Sequence, residues 1–287
     1  MTIETLEYLF DNLVSTGIVD ESEVIIIDNA SRDDSVKKIK DFIACHQALS
    51  FQLKCNHKNV GFAAANNQGF ESAKGEFILM YNSDILTTDS TDIAQLIHYL
   101  ESNPQVGALT LRLELVNGKI DPASHRGFPT PWRALTYFLK LEKLLGKVPV
   151  IGKYFGGYHL TDKNLQKIHQ VDAISGAFFL TRKVVIDRLG GFDERFFMYG
   201  EDLDLCFRLR GLGYEIIYYP LQTAIHLKHQ SGLKNPDPLA SSKIRFAFWE
   251  AMWLFYEKNL INSYPKILTN LIKKVIYHKA NKTLIVK

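Results

Sequence analysis

Three stretches of the chain carry side chains whose types and spacing suit chemistry. The apolar run EFILMYNSD, residues 76–84, ends in Asn82, Ser83 and Asp84. A carboxylate at the end of a rigid strand suits a hard divalent cation that bridges diphosphate oxygens; an Asx turn closing the strand is the structural alternative. Glu201 and Asp202 follow Gly200 and open a helical pattern inside the aromatic-rich segment FDERFFMYGEDLDLCFRLRGLGY. Apolar walls tune a carboxylate toward general-base chemistry, although acids in a first turn also complement the helix dipole. His226 is placed to join Asp84 on a metal, or to be a packed polar residue. With His229 three residues on and no third and fourth ligand nearby, the pair does not make a zinc site.

Two further segments suit a nucleotide. EVIIIDNAS, residues 23–31, reads as a buried strand ending in Asp28, so Asp28 and Asp84 both fall at the carboxyl edge of a sheet, where open α/β sheets bind ligands. Asp28 taken alone is equally a turn residue that works with Ser31 to start the next helix. NVGFAAANNQG, residues 59–69, runs a glycine turn into a small-residue helix start, whose free amides suit phosphate. Close helix packing by Ala63, Ala64 and Ala65 is the competing reading.

The elements that must position these groups follow from periodicity. Ile3, Leu6, Leu9, Phe10 and Leu13 form a helical stripe ahead of the first strand. Helices are predicted over 33–46, 62–73, 92–102 and 201–213, and extended segments over 50–54, 105–116, 173–181 and 214–219. This alternation predicts an α/β domain with parallel strands. Residues 117–170 hold Pro122, Pro129, Pro131 and Pro149 around a short apolar helix near 132–145, and read as a surface excursion over the core.

Composition excludes several classes. With 287 residues, 46% hydrophobic and 23% charged, the chain has the make-up of a soluble globular protein. Cys45, Cys55 and Cys206 are odd in number and widely spaced, which suggests neither a disulfide framework nor a metal site and points to a reducing cytoplasm. The start has no signal-peptide pattern, and no apolar run reaches spanning length. A net charge of +3 gives no reason to expect a nucleic-acid partner. Residues 243–287 hold nine Lys/Arg against two Glu, and 265–282 set Ile267, Leu268, Leu271, Ile272, Val275 and Ile276 on one face with lysines on much of the other. Such a helix suits peripheral contact with an anionic membrane, or is a solvated tail.

Taken in order, DNAS at 28–31, NVGFAAANN at 59–67, YNSD at 81–84, SGAFFLTRK at 175–183, GGFDERFFMYGEDLDLCFRLRGLGY at 190–214 and YYPLQTAIH at 218–226 resemble family 2 glycosyltransferases. Within the family the likeness is to bacterial rhamnosyltransferase-like enzymes of cell-surface polysaccharide synthesis. The resemblance implies a GT-A fold: a Rossmann-like nucleotide-binding sheet with an acceptor-binding half and C-terminal helices. It sets a catalytic domain over 1–240 and a helical appendage over 241–287. It implies a nucleoside diphosphate sugar donor, a saccharide or lipid-linked acceptor, and Mg²⁺ or Mn²⁺ as cofactor. Asp28, Asn59, Gly61, Asn82 and Ser83 fall on the donor side, Asp84 and His226 on the metal, and Gly176 and Ala177 in the acceptor and sugar region. Asp202 matches the base that takes the acceptor proton in an inverting transfer, with Glu201 in support.

The match departs from the family at three points. Asn82 stands where other members have Asp, and His229 where they often have Gly. The family's opening strand has no counterpart ahead of the first helix, so the DNA just upstream of Met1 is expected to encode an apolar strand in frame. A sugar-nucleotide-binding protein without turnover is the chief alternative. A nucleotidylyltransferase lacks its Gly-rich loop here, and a glycoside hydrolase would need two opposed carboxylates.

Overall fold

The computed structural model describes residues 2–228 and 238–284. Helix α1 (Thr2–Ser15) buries Leu6, Leu9 and Leu13, as their spacing requires. It leads to β1 (Glu23–Asp28), α2 (Ser35–Cys45), β2 (Ser50–Cys55), α3 (Phe62–Ser72) and β3 (Phe77–Tyr81). After the short β4 (Ile85–Thr87), α4 (Ile93–Ser102) starts on Asp92, whose carboxylate accepts from Gln95 N at 2.8 Å. The long β5 (Val106–Leu115) follows. Three short helices come next, α5 (Pro131–Phe138), α6 (Leu141–Leu145) and α7 (Gly152–Phe155). The chain then forms β6 (His169–Gln170), β7 (Phe178–Arg182), α8 (Lys183–Leu189), α9 (Glu201–Gly211), β8 (Glu215–His226), α10 (Pro238–Asn259) and α11 (Lys266–Leu284).

The larger sheet runs β3-β7-β5-β8-β4, with β6 pairing β8 off that path. It is mixed, which corrects the parallel arrangement expected from the alternation. β5 and β8 are parallel, but β7 lies antiparallel between β3 and β5. Parallel neighbours need a crossover connection; β7 instead arrives from the long 117–170 excursion. Helices α3, α8, α9 and α10 share one apolar cluster around Phe179 and Tyr218, and α4 covers Leu109, Leu111 and Leu113. Among the described residues no helix is long and apolar enough to cross a membrane.

β1 and β2 form a separate two-stranded parallel sheet. Among the described residues no strand pairs with the second edge of β1 or of β3. The two sheets meet through other contacts. The Glu23 carboxylate accepts from Lys74 N at 2.6 Å, Thr5 Oγ1 donates to Ser83 O at 2.9 Å, and Val24 packs with Leu9, Leu79 and Tyr81. Val24 through Ile27, read from the sequence as part of a buried strand, are only half-buried. A strand of four consecutive apolar residues normally has neighbours on both edges and both faces.

The excursion is built rather than loose. Asn117 and Gly118 (φ 73°) turn the chain back, Leu115 N bonds Lys119 O at 2.8 Å, and Ile120 bridges Glu114. The single helix expected near 132–145 is broken into α5 and α6 by Lys140, whose φ of 60° cannot continue a helix.

Candidate active site

Glu201 and Asp202 are the first residues of α9, and the turn before it holds Tyr199 and Gly200 at φ 70° and 82°. That left-handed pair drops the helix start against Phe196 and buries both acids. Asp202 Oδ1 accepts from Leu203 N at 2.7 Å. Its Oδ2 accepts from Arg126 Nη2 at 2.6 Å and, more weakly, from Gly176 N at 3.4 Å. Glu201 Oε2 has no hydrogen-bond partner among the described residues. Burial first, and then the Asp202 charge, pushes the Glu201 carboxyl up to about 8, so it carries a proton at neutral pH. The third acid of the helix, Asp204, is engaged by Arg208 and by Lys258 of α10, which makes it an anchor between helices.

At the end of β3, Asn82 N donates to Ala177 O at 2.9 Å. The segment Gly176–Ala177 thus joins the Asn82 turn to Asp202. Asp84 and His226 are brought together because β4 pairs with β8, which sets Ile85 opposite His226 and lets Leu227 N bond Asp84 O at 2.9 Å. Asp84 Oδ1 lies 3.4 Å from His226 Nε2. The other ring nitrogen, Nδ1, lies 2.7 Å from Asp121 Oδ2, and Lys228 Nζ holds Asp121 Oδ1 at 2.8 Å. Burial works to lower the His226 pKa, but the bonds to Asp121 and Asp84 outweigh it and raise it to about 9. Burial works to raise Asp121, but His226 and Lys228 outweigh it and hold the carboxyl well below the ordinary carboxylate range.

This donor set fits a divalent cation shared with a ligand, provided the cation displaces the His226 Nε2 proton that Asp84 otherwise faces. Asp84 oxygen and His226 Nε2 point at one another, and Asp121 fixes the imidazole from behind. Among the described residues no group of three or more metal-type side chains gathers, so diphosphate oxygens or water would complete the shell.

Asp28 is buried, and its Oδ2 accepts from Ser31 N at 3.1 Å, the turn role that its position alone suggested. The residue that organises this corner is Asn29, which the sequence reading did not single out. It donates to Asn59 Oδ1 at 3.0 Å and Gly61 O at 3.1 Å, and accepts from Val60 N at 3.0 Å. Asp28, Asn29, Ser31, Asn56 and Asn59 line a cleft of about 790 Å³. Gly61 (φ 93°) opens α3, and a β-carbon there would stand 2.6 Å from Phe197 O. Phe62 N is bonded to that carbonyl at 2.7 Å, so the first amide of α3 serves packing.

Residues 3–189 match the glycosyl transferase family 2 model. The chain belongs to this family. Over 220 residues it is 27% identical to the rhamnosyltransferase WbbL of Escherichia coli K12, covering 71% of this chain and 78% of WbbL. It is 25% identical over 244 residues to the O-antigen biosynthesis protein RfbC of Myxococcus xanthus, covering 82% of this chain but 17% of RfbC. Among solved structures it is similar to the mannosyltransferase PcManGT of Pyrobaculum calidifontis, in complex with GDP-Man and Mn²⁺. That likeness has a TM-score of 0.58 at 17% identity and covers 99% of this chain and 71% of that one. The mixed sheet with helices on both faces is the GT-A fold.

In this family 2 chain, Asp121 and Arg126 are the site groups that sequence reasoning missed, since both lie in the stretch read as a surface excursion. The signal was present in the Asn117-Gly118 pair. An Asn-Gly turn after a long strand folds the next residues back along it, and β5 ends with Leu115 opposite His226. His229 lies outside the described residues.

Proposed function

We propose that the chain transfers a sugar from a nucleoside diphosphate sugar to a hydroxyl of a saccharide or lipid-linked saccharide, with inversion, in cell-surface polysaccharide assembly. The observation that carries this is Asp202. It is a buried carboxylate at the mouth of α9, oriented by Arg126 and Gly176 N and next to Glu201, whose Oε2 has no hydrogen-bond partner among the described residues. Names of relatives support the substrate class: WbbL is a rhamnosyltransferase and RfbC acts in O-antigen biosynthesis.

In the proposed reaction the acceptor oxygen attacks the anomeric carbon from the face opposite the diphosphate. Asp202 takes the hydroxyl proton as the new carbon–oxygen bond forms, and the diphosphate leaves with the electron pair of the bond that breaks. Glu201, protonated, donates a hydrogen bond to a substrate oxygen through its free carboxyl edge. Asp84 and His226 would hold Mg²⁺ or Mn²⁺, which supplies positive charge to the departing diphosphate. The similar fold of PcManGT, in complex with Mn²⁺ and GDP-Man, supports a divalent cation in this reading. Asp28, Asn59 and Gly61 line the nucleoside side, Asn82 and Ser83 the diphosphate side, and Gly176 and Ala177 the sugar side.

We place the enzyme at the cytoplasmic face of a membrane, a reading supported by three free cysteines and by the basic helix α11. Incubating the protein with Mg²⁺ or Mn²⁺ and a panel of nucleotide sugars, and reading nucleoside diphosphate release with and without acceptor, tests the transferase reading. Binding of a nucleotide sugar with no release under any condition would leave a binding protein instead.

A further inference from the structure

The lobe 131–155 exposes apolar side chains that no other part of the described chain covers. Leu135, Leu139, Leu144 and Val150 are exposed, Val150 to 81%, and Trp132 and Tyr154 lie beside them. Trp132, Leu135 and Leu139 recur at spacings of three and four, so they form one stripe along α5 and the residue after it. Exposed apolar surface on this scale marks an interaction site in a folded protein. The lobe holds its shape without a partner. Arg133 pairs with Asp172 at 2.6 Å, Gly127 N bonds Tyr158 O at 2.8 Å, and Thr161 Oγ1 donates to Gly146 O at 2.7 Å. A β-carbon at Gly146 or Gly156 would collide with Thr161, so its turns pack at van der Waals contact.

Charge selects the partner. Lys140, Lys143, Lys147 and Lys153 are exposed among these apolar residues. Glu142, the one acid in the segment, is buried and bonded to His159 at 2.7 Å. Lysines around an apolar stripe, with a Trp and a Tyr at its margin, have the chemistry of a bilayer interface. The apolar groups enter the acyl boundary, while the ammonium groups stay among anionic head groups. The lobe is tied to α10, whose Trp253 is buried, and through it to α11. Phe138 stacks on Trp249 of α10 at 5.5 Å, and one helical turn on, Trp253 carries Lys273 of α11 over its ring at 5.0 Å. Helix α11 in turn leaves Ile267 (86%), Leu271 and Val275 exposed at four-residue spacing.

We propose that the lobe 131–155 docks the chain on an anionic lipid bilayer. The lobe begins just past Arg126, the residue bonded to Asp202, and Phe128 packs on Phe207 of α9 at 5.0 Å. Docking therefore brings the mouth of the Asp202 site to the interface. This bears on the lipid-linked acceptor of the proposed function, but docking itself needs no turnover.

The test is flotation of the purified protein with vesicles of mixed phosphatidylglycerol and phosphatidylcholine, against phosphatidylcholine alone. The wild type should float with the anionic vesicles, less so at high salt as screening weakens the lysines. The variant Leu135→Ser/Leu139→Ser/Leu144→Ser/Val150→Ser, altered only at exposed positions, should lose at least ten-fold in partitioning while its circular dichroism and thermal midpoint stay unchanged. Lys140→Glu/Lys143→Glu/Lys147→Glu should lose a similar factor by a separate route. Equal flotation of wild type and both variants, or no flotation of the wild type, overturns the proposal. So does a wild-type dimer that the Ser variant converts to monomer without any lipid dependence, since the face would then be a protein interface. Nucleoside diphosphate release from the nucleotide sugar, measured without vesicles, is independent of docking. Its failure alongside intact flotation would sink the transferase reading and leave the docking surface standing.

Discussion

Arg126 Nη2 meets Asp202 Oδ2 at 2.6 Å, and each side chain is only 12% exposed. A buried pair of this kind contributes little net stability, but removing one partner strands the other charge in a low-dielectric setting. Arg126→Met should therefore destabilise the chain by about 3–5 kcal/mol, and Arg126→Met/Asp202→Asn should recover much of that loss. Denaturant midpoints of the two singles and the double variant check this. Additive losses would show that the contact carries no coupling.

Asp202→Asn keeps the shape but has one acceptor oxygen in place of two, and it cannot take a proton at neutral pH. Transfer should fall by roughly 10²–10⁴-fold, with nucleotide-sugar affinity within a few-fold of wild type. A variant of near-normal turnover would remove Asp202 from the proton transfer.

Asp121 acts through His226. Its carboxylate fixes the imidazole at Nδ1 and leaves Nε2 facing Asp84. Asp121→Asn should weaken metal-dependent donor binding by about 10–100-fold while leaving metal-free binding unchanged. Asp84→Ala and His226→Ala should act in the same direction and more strongly. Calorimetric titration of nucleotide sugar with and without Mn²⁺ separates the two cases; affinity indifferent to the metal in all four proteins would refute the cation site.

How much of this was legible beforehand divides along physical lines. The α1 stripe, the β3 run into Asp84 and the α9 start at Glu201 are local patterns, set by side-chain period and by glycine, and the chain shows them directly. Pairings at long range are different. His226 meets Asp121 across 105 residues and Asp202 meets Arg126 across 76, so the neighbouring Asn117-Gly118 turn shows that the chain folds back but not which distant side chain each residue meets. The antiparallel placement of β7 has the same origin, because strand direction is decided by how the 117–170 excursion returns to the sheet. The half-buried state of Val24 through Ile27 was likewise hidden, since residue type reports what a strand prefers to bury and not which edges are covered.

Glu201 gives the stability a pH dependence with a definite sign. Folded, it keeps its proton up to about 8; in the unfolded chain it ionises near 4.5. Between those values the folded state binds more protons, so stability falls as pH rises through the window. The thermal midpoint of the wild type should drop between pH 5 and 9 more than that of Glu201→Gln, which has no such proton. Parallel midpoint curves for the two proteins would contradict the assignment.

Gly61 and Gly69, eight residues apart in one short segment, should respond to an added β-carbon in opposite directions. Gly61 stands at φ 93°, and an added β-carbon would lie 2.6 Å from the Phe197 carbonyl oxygen that accepts from Phe62 N. Gly61→Ala must therefore both strain its own backbone and push that carbonyl away, for a loss of about 2–4 kcal/mol. Gly69 lies eight residues on, inside α3, and a β-carbon there meets nothing within 4 Å. Gly69→Ala should raise stability by about 0.5–1 kcal/mol through the lower backbone entropy of the unfolded chain. Because Phe197 sits in the turn leading to Glu201 and Asp202, Gly61→Ala should also lower turnover at temperatures where the chain is still folded, while Gly69→Ala should not. Thermal midpoints and nucleoside diphosphate release for the two variants decide it. Shifts of the same sign at both positions would mean that helix propensity, and not the contact with Phe197, governs this turn.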